Sequence, residues 1–301
     1  MASVGGSSTQ KSMTYTQMDR AIKVDVPSSH LVFFPYASLI QRGISLPHFI
    51  SHITFIFICL QSIGISVWIH HNDTSSKVSI DNQNTNSNTQ KYLSLVLLFT
   101  PFKDDSTYIP MISVFSAVAI VINLAWLIPA YIFSKTQRVI NWLLPLQDFL
   151  SNVISPILVI PLFSHFGIGI TQAFRENHSM AGESNLSTTD CVILLIVSAI
   201  ACILNTVTTV SFVIFSSNTV YFPNSEYIIT DQSVILSLII GQGVFSFFSY
   251  LSEVMGDSIS IATLVFHILF DIALCISGIL SFPFMFKWVN YCFCALSVAS
   301  L

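Results

Sequence analysis

Met111–Phe133 reads MISVFSAVAIVINLAWLIPAYIF, and Phe149–Ile170 reads FLSNVISPILVIPLFSHFGIGI. Each run exceeds the roughly 20 apolar residues that a helix needs to cross a hydrocarbon core of about 30 Å. Between them lie Ser134-Lys135-Thr136-Gln137-Arg138 and Asn141-Trp142-Leu143-Leu144-Pro145, a short polar segment followed by interfacial side chains. The stretch reads as a membrane hairpin. Lys135 and Arg138 set its orientation, because short loops rich in Lys and Arg stay in the cytosol.

Composition extends this reading to the whole chain. The 301 residues are 53% hydrophobic and 9% charged, and the mean hydropathy is +0.73, outside the balance of a soluble domain. The expected fold is all-α, a polytopic transmembrane helix bundle with the lipid bilayer as its main partner. A homo-oligomer is compatible with it. Net charge is −4 and the cations are scattered, so no basic stripe tracks a phosphate backbone and nucleic acid is not an expected partner. The six cysteines, Cys59, Cys191, Cys202, Cys275, Cys292 and Cys294, show no zinc spacing and imply no disulfide framework.

Outward from the hairpin, residues 1–30 are polar, lack the apolar core of a signal peptide, and read as a disordered cytosolic tail. Residues 31–47 read as an interfacial segment. The transmembrane domain then occupies 48–301, with six spans at about 48–68, 111–133, 149–170, 191–215, 233–251 and 259–284. The stretch 289–301 is apolar but covers only part of a crossing, so it lies in the interface or belongs to a longer protein. Tyr92–Phe102 is also too short to span, and Pro156 and Pro161 predict kinks in the third span.

Three sequons, at Asn72, Asn177 and Asn185, fall in the loops after spans one and three, which alternation places on one side. Glycosylation there makes that side exoplasmic and the N-terminus cytosolic. The cations agree, with Lys11, Arg20, Lys23, Arg42, Lys135, Arg138 and Lys287 inside against Lys77, Lys91, Lys103 and Arg175 outside. The plasma membrane is the expected location.

One ionisable group stands near the middle of a span. Asp271 follows His267 by one helical turn on the same face. A central Asp costs about 2.5–3.5 kcal/mol on the insertion scale, so the pair must face the bundle interior or water. Its functional reading is a proton or cation relay, and its structural reading is a hydrogen bond between helices. Gly241-Gln242-Gly243 and Gly167-Ile168-Gly169 do not follow soluble strands, so they read as close helix packing instead of phosphate loops. No Walker loop, GxSxG, HExxH or kinase signature occurs, and no catalytic, cofactor-binding or metal-ligating set is expected in these residues.

Phe34-Pro35-Tyr36, the span end Ser66-Val67-Trp68, the hairpin with Lys135-Thr136-Gln137-Arg138 and Trp142-Leu143-Leu144-Pro145, the run Ser155-Pro156-Ile157-Leu158-Val159-Ile160-Pro161, and Ser281-Phe282-Pro283-Phe284 carry a family likeness. Together they resemble the N-terminal multi-pass region of the receptor-type adenylate/guanylate cyclases of flagellate protists (trichomonads). The resemblance implies a membrane-anchoring, sensory input region followed by cytoplasmic helical-repeat and sensor segments and a class III cyclase domain. No catalytic residue carries over, since the cyclase aspartates have no counterpart here. The runner-up from the residues alone is a small transporter or channel built on His267 and Asp271.

Overall fold

The computed structural model describes residues 36, 48–75, 108–136, 138, 142–177, 188–218, 232–281 and 287–300. The readings of residues 1–30, of 31–47 apart from Tyr36 and the helical start at 48, of Tyr92–Phe102 and of Asn185 lie outside the described residues. Among the described residues all regular structure is helical: α1 His48–Ser75, α2 Tyr108–Thr136, α3 Leu143–Phe149, a π-helical turn Leu150–Ile154, α4 Ser155–Asn177, α5 Thr188–Asn218, α6 Gln232–Met255, α7 Asp257–Ser281 and α8 Lys287–Ser300. Four of these runs are long and apolar enough to cross a membrane, Ile112–Thr136, Leu143–Phe174, Val192–Ser211 and Ser258–Ser281. Shorter apolar stretches, Ile53–Val67 and Leu236–Ser252, lie in α1 and α6. The described part of the chain is all-helical, and its apolar helices are those of a membrane protein.

Helix ends run past the apolar runs that mark them in the sequence. α1 continues through Asn72-Asp73-Thr74 to Ser75, and α4 continues to Asn177, because backbone hydrogen bonds persist in the headgroup region after the apolar side chains stop. The third crossing also begins earlier than Phe149. Leu143–Phe149, the π-turn and α4 form one continuous run, with Trp142 exposed just before it. In the π-turn the Ser155 N–H reaches the Leu150 carbonyl, one residue further back than an α-helix allows. Pro156 comes next and has no N–H to give the α-ladder. α8 has 14 residues, about 21 Å at 1.5 Å each, short of a crossing.

The layer order follows from glycines. A Cβ on Gly167 would stand 2.9 Å from the Phe247 carbonyl oxygen of α6, and one on Gly169 would stand 3.2 Å from the Leu195 Cα of α5. Two residues apart on a helix means nearly opposite faces, so α4 is clamped between α5 and α6. Gly241 and Gly243 repeat the device on α6: the first meets the Phe270 ring of α7, the second the Phe163 ring of α4. The sheet-like succession is therefore α5, α4, α6, α7, with α2 packed on α5 and with α1 and α8 bracing α7. An apolar 18-residue stretch of Leu143–Phe174 has 72% of its residues buried, against 28%, 39% and 22% for the corresponding stretches of α2, α5 and α7, which makes α4 the central helix. α6 and α7 are joined by Gly256 alone, at φ 96°, a left-handed position that favours glycine.

The bundle carries polar side chains inside, among buried apolar ones, and an apolar surface outside. Gln61, Asn123, Gln147, Ser155, Ser164, His165, Asn205 and Gln242 are buried, while Val114, Val118, Val121, Ile196, Ile203, Phe266, Leu269 and Ile276 are exposed on the outer helices. In water that surface would drive aggregation, and in a bilayer it meets lipid tails, leaving polar contacts and close packing to join the helices.

Candidate intramembrane polar site

α7 places His267 and Asp271 at i and i+4, and both are buried, at 2% and 1% exposure. Their approach is Nδ1 to Oδ2 at 3.5 Å. A third group arrives from α6. Gln242, fully buried between its two glycines, donates from Nε2 to Asp271 Oδ1 at 2.8 Å, and its Oε1 lies 3.0 Å from His267 Nε2. Phe245 packs edge-on against the imidazole, with centroids 5.0 Å apart at 90°.

This arrangement fixes the proton inventory. Because Gln242 donates through Nε2, its Oε1 must accept, so His267 carries a hydrogen on Nε2. Nδ1 and Asp271 Oδ2 then face one another at 3.5 Å, a spacing that suits one shared proton, and with that proton the pair would carry no net charge, the arrangement a low-dielectric interior favours.

Asp271 also borders a small cavity lined by Cys59 and Ser62 of α1, Leu238 of α6, Leu274 of α7, and Phe293 and Ser297 of α8. It has room for one water-sized sphere, ≈ 10 Å³. The site is thus built by four helices and capable of holding a proton or a small ion.

Other polar contacts hold the bundle together. Asn205 of α5 accepts from Asn123 of α2 and from Ser155 of α4, each at 3.2 Å, and donates to the Ser155 carbonyl at 2.8 Å. Gln61 of α1 donates to the Ile157 carbonyl at 3.1 Å, and the Ser164 and Ser246 hydroxyls bond across α4 and α6. Tyr36 donates to Gln147, whose amide donates to the Ala125 carbonyl at 3.2 Å. The Tyr36 ring packs on Phe133 at 5.3 Å, so this one residue ties the end of α2 to the start of α3. Asp148 is a second buried carboxylate, bonded to Asn152 at 2.5 Å.

Of the residues singled out by sequence, His267 and Asp271 are brought together. Lys135 is exposed, with its ammonium 5.8 Å from the Tyr131 ring centre, and Arg138 is exposed two residues past α2. Asn72 lies in the last turn of α1 and Asn177 ends α4. Among the described residues no three His, Cys, Asp or Glu side chains gather as a metal site. Gln242 and Asp148 were not singled out in the sequence. Gln242 was masked by flanking glycines that read as packing, and Asp148 stood one residue outside the apolar run. No protein-family model, no curated protein and no solved structure matches this chain.

Proposed function

We propose that the chain is the membrane-anchoring and sensory input domain of a multi-pass signalling protein, with six spans and a partial seventh segment at 289–301, of the kind found ahead of protist nucleotide cyclases. The observation that carries this reading is the central α3–α4 run, which is clamped on opposite faces by α5 and α6 and interrupted by a π-turn. Such π-helical turns are frequent at functional sites, and the polar contacts of Asn205, Ser155 and Gln147 gather around this one. The family resemblance at Ser155–Pro161 falls on the same run. Cyclic-nucleotide synthesis would belong to residues beyond 301. The test is to read the transcript past codon 301 and assay the complete product in membranes. A class III cyclase domain with cyclase output supports the proposal, and a stop codon directly after Leu301 removes it.

The topology belongs to the same proposal: N-terminus and Lys135–Arg138 in the cytosol, Asn72, Asn177 and Asn185 on the exoplasmic side, in the plasma membrane. The second reading is a small transporter or channel, favoured by the convergence of Asp271, His267 and Gln242 beside a cavity. It is tested by pH-dependent flux in proteoliposomes with wild type and Asp271→Asn. Undiminished flux in the variant removes the carboxylate from the mechanism.

A further inference from the structure

His165 of α4 is fully buried, and neither of its ring nitrogens has a hydrogen-bond partner among the described residues. The same holds for the Ser116 hydroxyl of α2. Helix packing brings the two to one level. Along α2 and α5, Ile112 shares a cluster with Leu194, Ala119 shares one with Ala201, and Asn123 bonds Asn205, always 82 residues on. The two helices therefore run parallel and in register, and the same spacing pairs Ser116 with Ser198, both fully buried. α4 closes the third side. A Cβ on Gly169 would stand 3.2 Å from the Ser198 hydroxyl oxygen, and His165 lies one turn before Gly169 on the same face. Its ring also meets that of Phe115, the neighbour of Ser116, edge-on at 5.1 Å. Apolar clusters flank this polar layer, with Ile112, Ile168 and Leu194 toward one end and Ala119, Leu162 and Ala201 toward the other. We propose that the layer binds ordered water, with at least one molecule bridging His165 to Ser116.

Charge selects water over an ion. The charged residues of α2, α4 and α5 are Lys135, Arg175, Glu176 and Asp190, all near helix ends. An imidazolium or a metal cation at His165 would stand without a counter-charge in a low-dielectric interior. The ring is therefore neutral, with one N–H to give and one lone pair to receive, and each serine hydroxyl has one hydrogen and two lone pairs. Water both donates and accepts, so it satisfies an imidazole nitrogen of either kind and a hydroxyl at once. The Ser198 hydroxyl gives its hydrogen to the Leu195 carbonyl at 3.2 Å and keeps its lone pairs as a further acceptor. Internal waters sit on buried polar groups of this sort, making about three bonds each. Through water, His165 and Ser116 join α4 to α2, as Asn123 and Asn205 join α2 to α5 directly about two turns away.

The site goes beyond the sensory and carrier readings and requires neither. Its test uses the full chain in nanodiscs, given a brief X-ray dose in isotopically labelled water. Hydroxyl radicals born from a bound water oxidise the side chains beside it. Mass spectrometry should therefore find labelled oxygen on Phe115 well above the level on Phe163, a half-buried phenylalanine that packs on Gly243 of α6 instead. Ser116→Ala takes away one ligand of the bridging water and should bring Phe115 down to the Phe163 level. If that variant does not fold, the comparison of Phe115 with Phe163 in the wild type decides alone. In a density map fine enough to show solvent, the matching result is a peak at hydrogen-bonding distance from a His165 nitrogen and from Ser116 Oγ. Equal labelling of the two phenylalanines, labelling of Phe115 that persists in Ser116→Ala, or a map with no such peak overturns the proposal. So does labelling that changes when chloride is replaced by gluconate, the mark of a halide held by an imidazolium.

Discussion

Gln242 has both ends of its amide engaged, one on Asp271 and one on His267, so its orientation is not a free choice. Replacing it by leucine leaves two buried polar groups short of a bond each. The expected loss is about 1–3 kcal/mol per stranded group, read as a lower thermal or detergent unfolding midpoint. Gln242→Leu combined with Asp271→Leu should recover part of that loss, because removing both partners is far cheaper than removing one. Tyr36 offers a second test, by pH. Burial raises its hydroxyl above the ordinary 10.0, and the bond to Gln147 opposes this in part. The folded state therefore holds that proton more tightly than the unfolded chain. Its contribution is complete below about pH 10 and is lost as pH rises through the folded value. Tyr36→Phe should flatten the fall in unfolding midpoint across that window, and an unchanged alkaline limb would contradict the assignment. Asp271 and His267 were legible in the sequence because an ionisable residue within an apolar run is costly and rare. Gln242 was not, because its role depends on the register between α6 and α7.

At the scale of elements, the glycine pairs do what side chains do in soluble cores, setting which helices touch and how closely. Gly167→Leu places a branched side chain against the α6 backbone, where the nearest atom is a carbonyl oxygen that cannot rotate away. Overpacking of this kind costs about 1–3 kcal/mol or more. Gly167→Leu should therefore lower the unfolding midpoint more than a substitution to leucine at an exposed site such as Val121→Leu. Equal midpoints would show that α4 is not clamped. The apolar runs made the helices legible, and the two Gly-x-Gly motifs made close packing legible. The helix ends and the π-turn were not. Hydrophobicity reports only the part of a helix inside the hydrocarbon, and the choice between α and π at Leu150–Ile154 depends on Pro156 together with what packs around it.

For the whole molecule, the described helices keep an apolar surface outside and gather their polar side chains within an otherwise apolar interior. The orientation proposed here has a direct measurement. Glycosidase-sensitive mass at Asn72, Asn177 or Asn185, with acceptor sites engineered next to Arg138 left unmodified, is the expected pattern, and the reverse pattern inverts the topology. The one-residue connector at Gly256 bears on how the protein is made. With no loop between them, α6 and α7 form one antiparallel hairpin in which Gln242 meets Asp271, and insertion of the hairpin as a unit would deliver the two side chains together. The carboxylate need never face lipid alone: its amide partner has already been synthesised when α7 emerges, and the penalty of about 2.5–3.5 kcal/mol for a solitary central aspartate falls on a pair. Lengthening that connector should then show up first as a biogenesis defect, with less protein integrated, before any change in the finished fold.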